Sequence, residues 1–278
     1  MDDFTLRILK NIGQSYGTPC YVYFLDPALE RFDLLQRAFG GRFGASFAVK
    51  SNPNAAWLER IKCKVTSLDV SSIGEAERVL RVGYAPGALT FSGPAKQARD
   101  LQRAVKIGVG EIVCESAWEL GILNAIAAKA GSRTSILLRI NPKRMPRKFG
   151  VNMGGKPSQF GIDEEDLDGV LGRLRDWQQL DFQGFHIYSG TNSLSEPAIA
   201  ENFGIFIELF ERFSVRYGLA PRKLIFGTGF GIPYLADERT LDIDQLADLI
   251  NPQIDAMKRE PLLAGAQCVL ELGRWIIG

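Results

Sequence analysis

The chain has 278 residues, 46% of them hydrophobic, and its 33 basic and 32 acidic side chains leave a formal charge of +1. That composition supplies a sizeable core for one large domain or two ordinary ones, and the balanced charge gives no electrostatic footprint for nucleic acid or an anionic membrane. Four dispersed cysteines and a single histidine exclude a disulfide framework and a zinc cluster, and with no basic-then-apolar leader and no membrane-length apolar run the expectation is a soluble, cytoplasmic protein without a metal.

Residues 1–25 read as an N-terminal segment that ends in an extra strand over Pro19–Leu25, and residues 26–278 as one barrel domain. From there, short apolar runs alternate with amphipathic stretches. The runs Ala45–Val49, Thr66–Val70, Ala88–Phe91, Glu111–Cys114, Ser135–Ile140, Phe182–Ile187, Lys223–Phe226 and Gln267–Leu270 read as buried parallel strands. Between them, Ala55–Ile61, Ile73–Val82, Ala117–Ala130 and Ala198–Tyr217 have helical spacing. Eight strands separated by helices over about 230 residues predict an α/β fold of the (β/α)8 TIM-barrel kind. The polar, Gly-rich stretch Asn141–Gly161 is an insert after the fifth strand, of a length that favours a functional role.

Barrels of this kind carry chemistry at the C-terminal ends of their strands. In chain order those ends deliver Lys50, Asp69 with Ser71, Ser92-Gly93, Glu115, Arg139 with Asn141, His186 with Ser189, the turn Gly227-Thr228-Gly229-Phe230-Gly231, and Glu271 with Gly273 and Arg274. Each has a plain alternative. Lys50 could snorkel at a strand end, Asp69 could cap the next helix, His186 could be a satisfied core residue, the glycines could form a tight turn, and Glu271 with Arg274 could be a weak rim ion pair. One converging ring explains all of them together. The glycine turn would bring backbone N–H groups close to an anion, with Arg274 as a positive fork and Ser189 as a hydroxyl donor, which predicts a phosphate site. A phosphate site beside a strand-end lysine suggests a phosphorylated aldehyde held on Lys50, with Glu271 facing a ring nitrogen and His186 against the ring.

Several ordered segments carry a resemblance: Phe47-Ala48-Val49-Lys50-Ser51-Asn52, Leu68-Asp69-Val70-Ser71-Ser72, Phe91-Ser92-Gly93-Pro94-Ala95-Lys96, Glu115-Ser116, Arg139-Ile140-Asn141-Pro142, Gln159-Phe160-Gly161, Gly184-Phe185-His186 and Glu271-Leu272-Gly273-Arg274. Together they resemble the fold-type III pyridoxal-phosphate decarboxylases, the ornithine/diaminopimelate/arginine decarboxylase group, whose barrel is of the alanine-racemase-like type. The resemblance implies pyridoxal 5′-phosphate as cofactor and Lys50 as its Schiff-base lysine. It implies His186 stacked on the ring and Glu271 on the pyridine nitrogen. Ser189, Gly227, Gly229, Phe230, Gly231, Gly273 and Arg274 would cradle the phosphate, with Asp69 and Arg139 in support. The stretch from Val151 to Pro157 resembles a branch of natural-product and siderophore decarboxylases, some acting on carrier-linked amino acids.

Two departures follow. Thr228 stands where the family's phosphate turn has a glycine, a cost if that position needs positive φ. The family continues into a C-terminal β domain, which gives a cysteine and an aspartate to the partner subunit's site and a tyrosine to the phosphate. The chain stops at Gly278, so it reads as the barrel part of a PLP-dependent carboxy-lyase, a homodimer in full-length form, that binds cofactor weakly and turns over little alone. Two alternatives stand beside it: a single-barrel cofactor-binding protein without turnover, and an amino-acid racemase, which would place an arginine where Glu271 stands.

Overall fold

The structure is a computed structural model that describes residues 2–146, 151–152 and 154–278; of Val151 and Asn152 only the backbone is described. Eight parallel strands close on themselves: β1 (Gly44–Ala48), β2 (Ser67–Val70), β3 (Leu89–Phe91), β4 (Glu111–Cys114), β5 (Thr134–Asn141), β6 (Leu180–Ile187), β7 (Lys223–Gly227) and β8 (Gln267–Leu272). β1 pairs with both β2 and β8, and β4 pairs with β5, which completes the ring. The predicted TIM barrel is therefore observed.

Register decides what reaches the mouth. Alternate residues of each strand face the barrel interior, where Val113, Leu137, Ile225 and Val269 form a separate apolar layer. Two residues further along stand Glu115, just beyond β4, and Arg139, Gly227 and Glu271 on the other three strands, so this layer is the floor beneath the polar rim. In β6 the pairing with β5 slips between Ile136 and Leu137, so that Phe182 and Gly184 face consecutive partners and Gln183 is the extra residue. Gly184 makes that slip feasible: its φ is +151° and a Cβ there would lie 1.8 Å from the Lys223 carbonyl oxygen. Beyond it, His186 lies opposite Arg139 on one side and Ile225 on the other.

Helices α1 (Asp3–Tyr16), α2 (Leu25–Ala38), α3 (Ala55–Arg60), α4 (Ile73–Arg81), α5 (Ala98–Ile107), α6 (Ala117–Lys129), α7 (Leu167–Leu171), α8 (Glu196–Tyr217), α9 (Ile243–Met257) and α10 (Arg274–Ile277) follow in order. Their starts are chemically marked: Ser72, Ser116, Ser195 and Asp242 each accept a hydrogen bond from a first-turn N–H. The largest aromatic cluster joins Phe203, Phe206 and Phe210 of α8 to Phe226 of β7 and to Phe43. The extra strand expected over Pro19–Leu25 is absent. Pro19–Phe24 has no regular structure and Leu25 already belongs to α2. A strand needs a neighbour's N–H and C=O groups, and none pairs with this segment among the described residues; Tyr21 stands 92% exposed. Upstream lies a helix that the sequence reading did not include, α1, capped by Asp2 and contributing no buried residue.

No helix among the described residues is long and apolar enough to cross a membrane.

Candidate active site

A cavity of about 740 Å³ opens at the C-terminal ends of the strands. Six of the predicted site residues, Lys50, Arg139, His186, Glu271, Gly273 and Arg274, line it. β1 ends at Ala48, and Val49–Ser51 turns as a short 3-10 helix, so Lys50 projects from a turn rather than from the strand itself. Its Nζ lies 3.9 Å from Asp69 Oδ2. Asp69, on β2 opposite Ala48, does not cap α4, since Ser72 does. It is 1% exposed, and neither carboxylate oxygen has a hydrogen-bond partner. Burial raises its pKa to about 7, helped by the Glu271 charge and opposed by the charges of Lys50 and Arg139. For Lys50, burial acts to lower the pKa, but the charges of Asp69 and Glu271 outweigh it and the ammonium form is favoured.

Glu271 makes no ion pair with Arg274. Its Oε2 lies 2.8 Å from His186 Nε2, both side chains being almost wholly buried. Burial alone would raise the Glu271 pKa, yet the His186 hydrogen bond, with the charges of His186, Lys50 and Arg139, brings it down to about 2. The two interior carboxylates are thus driven apart, Asp69 towards the neutral acid and Glu271 towards the anion. His186 is half satisfied: its Nδ1 is buried without a partner. Arg139 sits with Glu115, which reaches it at 3.0 Å.

The phosphate side differs from expectation. Ser189 is fully buried, and its hydroxyl donates to Asn202 on α8 at 3.0 Å rather than to the cavity. Phe230 packs edge-on against Trp275 and is core. The Gly231 N–H donates to the Ser193 carbonyl at 2.9 Å. Gly227 lies beneath Tyr188, for a Cβ on it would be 2.3 Å from that ring. The positive φ falls on Gly229, at +62°, and not on Thr228, so the threonine carries no left-handed strain. Its hydroxyl and N–H instead both donate to the Glu271 carbonyl, at 3.0 and 3.4 Å, joining β7 to β8. Arg274 is exposed and hydrogen-bonds the Tyr234 hydroxyl across the cavity.

The pyridoxal binding domain of the pyridoxal-dependent decarboxylases matches this sequence over residues 25–278. The chain belongs to the pyridoxal-dependent decarboxylase family. It is 29% identical over 266 residues to an L-glutamyl-(BtrI acyl-carrier protein) decarboxylase of Niallia circulans, covering 96% of this chain and 62% of that protein. It is 34% identical over 238 residues to a diaminopimelate decarboxylase of Zymomonas mobilis, covering 83% and 56%. The crystal structure of Helicobacter pylori diaminopimelate decarboxylase complexed with L-lysine superposes with a TM-score of 0.84 at 26% identity, covering 96% of this chain and 66% of that one. The chain thus spans about 60% of the length of the curated relatives it matches.

The barrel fits a pyridoxal group on its own evidence. An amine faces the cavity beside a buried carboxylate that has no hydrogen-bond partner, and an ionised carboxylate lines the same cavity. Among the lining residues, sequence reasoning gave no role in the cavity to Tyr188 or to Phe160. Tyr188 follows His186 by two and so shares its inward face; burial raises its pKa, and the Glu271 charge adds to that. Alternation alone could have found it. Phe160 returns to the mouth through the insert, its ring 4.7 Å from the Arg139 guanidinium, and no strand periodicity points to it. Within the insert, residues 147–150 and Met153 of the resembling branch segment lie outside the described residues. Val151–Asn152 pairs antiparallel with Gly190–Thr191.

Proposed function

We propose that this chain holds pyridoxal 5′-phosphate through Lys50 and forms the cofactor-binding half of an amino-acid decarboxylase site. The observation that carries the reading is the pairing of a cavity-facing amine at Asp69 with the ionised Glu271 in one cavity. When bound, the cofactor supplies an electron sink that takes up the bonding pair left as a substrate carboxyl departs. The chain's own residues do the rest. Lys50 must lose a proton to attack an aldehyde carbon, and Asp69, 3.9 Å away, is a buried acceptor for that proton near neutral pH. Glu271 stays anionic and would hold a proton on a basic ring nitrogen, which strengthens the sink. His186 keeps Glu271 in place through the 2.8 Å bond. Arg139, Gly273 and Arg274 border the remaining wall, Arg274 offering its guanidinium to the phosphate once it leaves Tyr234. Gly227 and Gly229 shape the turn behind Tyr188, while Ser189, Phe230 and Gly231 support that turn from outside the cavity.

The anionic Glu271 favours decarboxylation over racemisation, because a protonated ring nitrogen draws electrons more strongly than one facing a cation. Substrates with an extended side chain, free or joined to a carrier protein, fit the breadth of the named relatives. A cytoplasmic homodimer is the proposed working form of the full-length protein. Carboxyl-labelled diaminopimelate, ornithine and glutamate, offered with the cofactor to the full-length protein, should show labelled CO₂ released from at least one of them, and little from this chain alone. Retention of the label with loss of optical activity would instead establish a racemase.

A further inference from the structure

Glu115 and the closing residues of the insert, Gln159-Phe160-Gly161, have no part in the reading above. The structure joins them. The Glu115 side chain is 4% exposed. Its Oε1 accepts from the Gly93 N–H at 2.9 Å and from Arg139 Nη1 at 3.0 Å. Its Oε2 accepts from the Gly161 N–H at 2.7 Å and again from Arg139 Nη1 at 3.3 Å. One carboxylate therefore ties the loop after β3, the end of β5 and the far end of the insert. Gly161 can come this close because it has no side chain: its φ is +75°, and a Cβ would stand 3.0 Å from the Asn141 nitrogen. Behind this tie, Glu119 accepts from the Glu115 N–H at 2.8 Å and pairs at 2.9 Å with the buried Lys96, which also donates to the Gly93 carbonyl.

The front of the tie faces the cavity. Gly93, Arg139, Phe160 and Tyr188 all line it, and Arg139 Nη2 donates to the Tyr188 carbonyl at 3.3 Å. We propose that Glu115 is a positioning residue that holds Arg139 and Phe160 as one fixed, charge-neutral wall and thereby sets the reactivity of the Lys50 amine. Lys50 is faced by Asp69 from β2, Glu271 from β8, Tyr188 after β6 and Arg139 from β5; Glu115 is faced by Arg139, Lys96, His186 and Glu119. The sign follows from the charges. Arg139 and Lys50 line the same cavity, so the guanidinium charge opposes the ammonium while Asp69 and Glu271 favour it, and Glu115 neutralises Arg139 through the bonds at 3.0 and 3.3 Å. Removing the Glu115 charge exposes Lys50 to more of that repulsion and frees the amine at lower pH.

The inference rests on Lys50 being the reactive amine, and its test does not require the cofactor. The rate at which trinitrobenzenesulfonate labels Lys50 is followed by peptide mass spectrometry as a function of pH. Glu115→Gln should label about three- to tenfold faster at a fixed pH below the midpoint, equivalent to a downward shift of about half to one unit. Arg139→Met should move the profile the opposite way, Glu115→Gln/Arg139→Met should return close to wild type, and Glu115→Asp, which keeps the charge, should stay near it. Profiles that do not move, or that shift in the same direction for both single variants, would overturn the proposal. If Glu115→Gln does not fold, Arg139→Met and the double variant decide the matter. A wild-type chain that labels at Lys50 yet captures no pyridoxal phosphate would sink the cofactor reading while leaving the comparison of profiles intact.

Discussion

Replacing Asp69 by Asn should stabilise the cofactor-free protein at alkaline pH while impairing the site. Asp69 is buried without a hydrogen bond to either oxygen, its ion-pair partner Lys50 standing 3.9 Å away, and its pKa stands at about 7 against an ordinary 3.8. The folded protein therefore holds this proton more tightly than the unfolded chain does. Its contribution to stability is most favourable below pH 3.8 and declines as pH rises to about 7, after which the cost is constant. A gap of about three units corresponds to about 4 kcal/mol. An amide in the same place would lack partners too, at about 1–3 kcal/mol, and Lys50 would lose its neighbour. The net gain for Asp69→Asn at about pH 8 is then about 1–3 kcal/mol, and the difference between variant and wild type should grow by about 2–3 kcal/mol between about pH 5 and about pH 8. Urea denaturation of both proteins across that range measures it directly. A variant less stable than wild type at pH 8, or a difference that does not change with pH, would refute the reasoning.

Glu271 predicts the opposite dependence. With a folded pKa of about 2 and an ordinary value of 4.5, it contributes about 3 kcal/mol above pH 4.5 that is lost as pH falls towards 2; in His186→Phe this acid-side loss, followed by urea midpoints, should be smaller because the unfolding free energy has already dropped at neutral pH. Gly227→Ala should cost about 1–3 kcal/mol by driving a methyl against both the ring and the Cα of Tyr188, and the cost measured by denaturation in the Tyr188→Ala background should be smaller, by the ring's share, without vanishing. Lys50→Ala should still fold, losing some stability at neutral pH with the charge that offsets Asp69 and Glu271, yet give no visible absorbance band with added cofactor.

The barrel was legible because its strands are short, buried apolar runs. The predicted Glu111–Cys114 coincides with β4, and the other strands differ only at their ends, as where β6 begins two residues before Phe182 and β8 runs two beyond Leu270. Those additions are half-polar positions that pairing, not composition, recruits. α1 was not legible from the core because it buries nothing, and Pro19–Leu25 has strand-like composition without a partner to pair with. Lys50, His186 and Glu271 were legible as strand-end polar groups. The phosphate cradle was less so: Ser189 and Phe230 stand next to inward positions but turn outward, towards Asn202 and Trp275. The Thr228 substitution reads as a defect in sequence and is a hydrogen-bonded link in the fold, because the left-handed turn falls one residue later.

The central claim, that Lys50 is the amine that takes the cofactor, is tested most directly by covalent trapping. The protein is mixed with pyridoxal 5′-phosphate, reduced with borohydride and digested, and each lysine peptide is weighed. The account predicts one phosphopyridoxyl group, on the peptide containing Lys50, and none on Lys96 behind the wall. Modification spread over surface lysines with Lys50 untouched would contradict it.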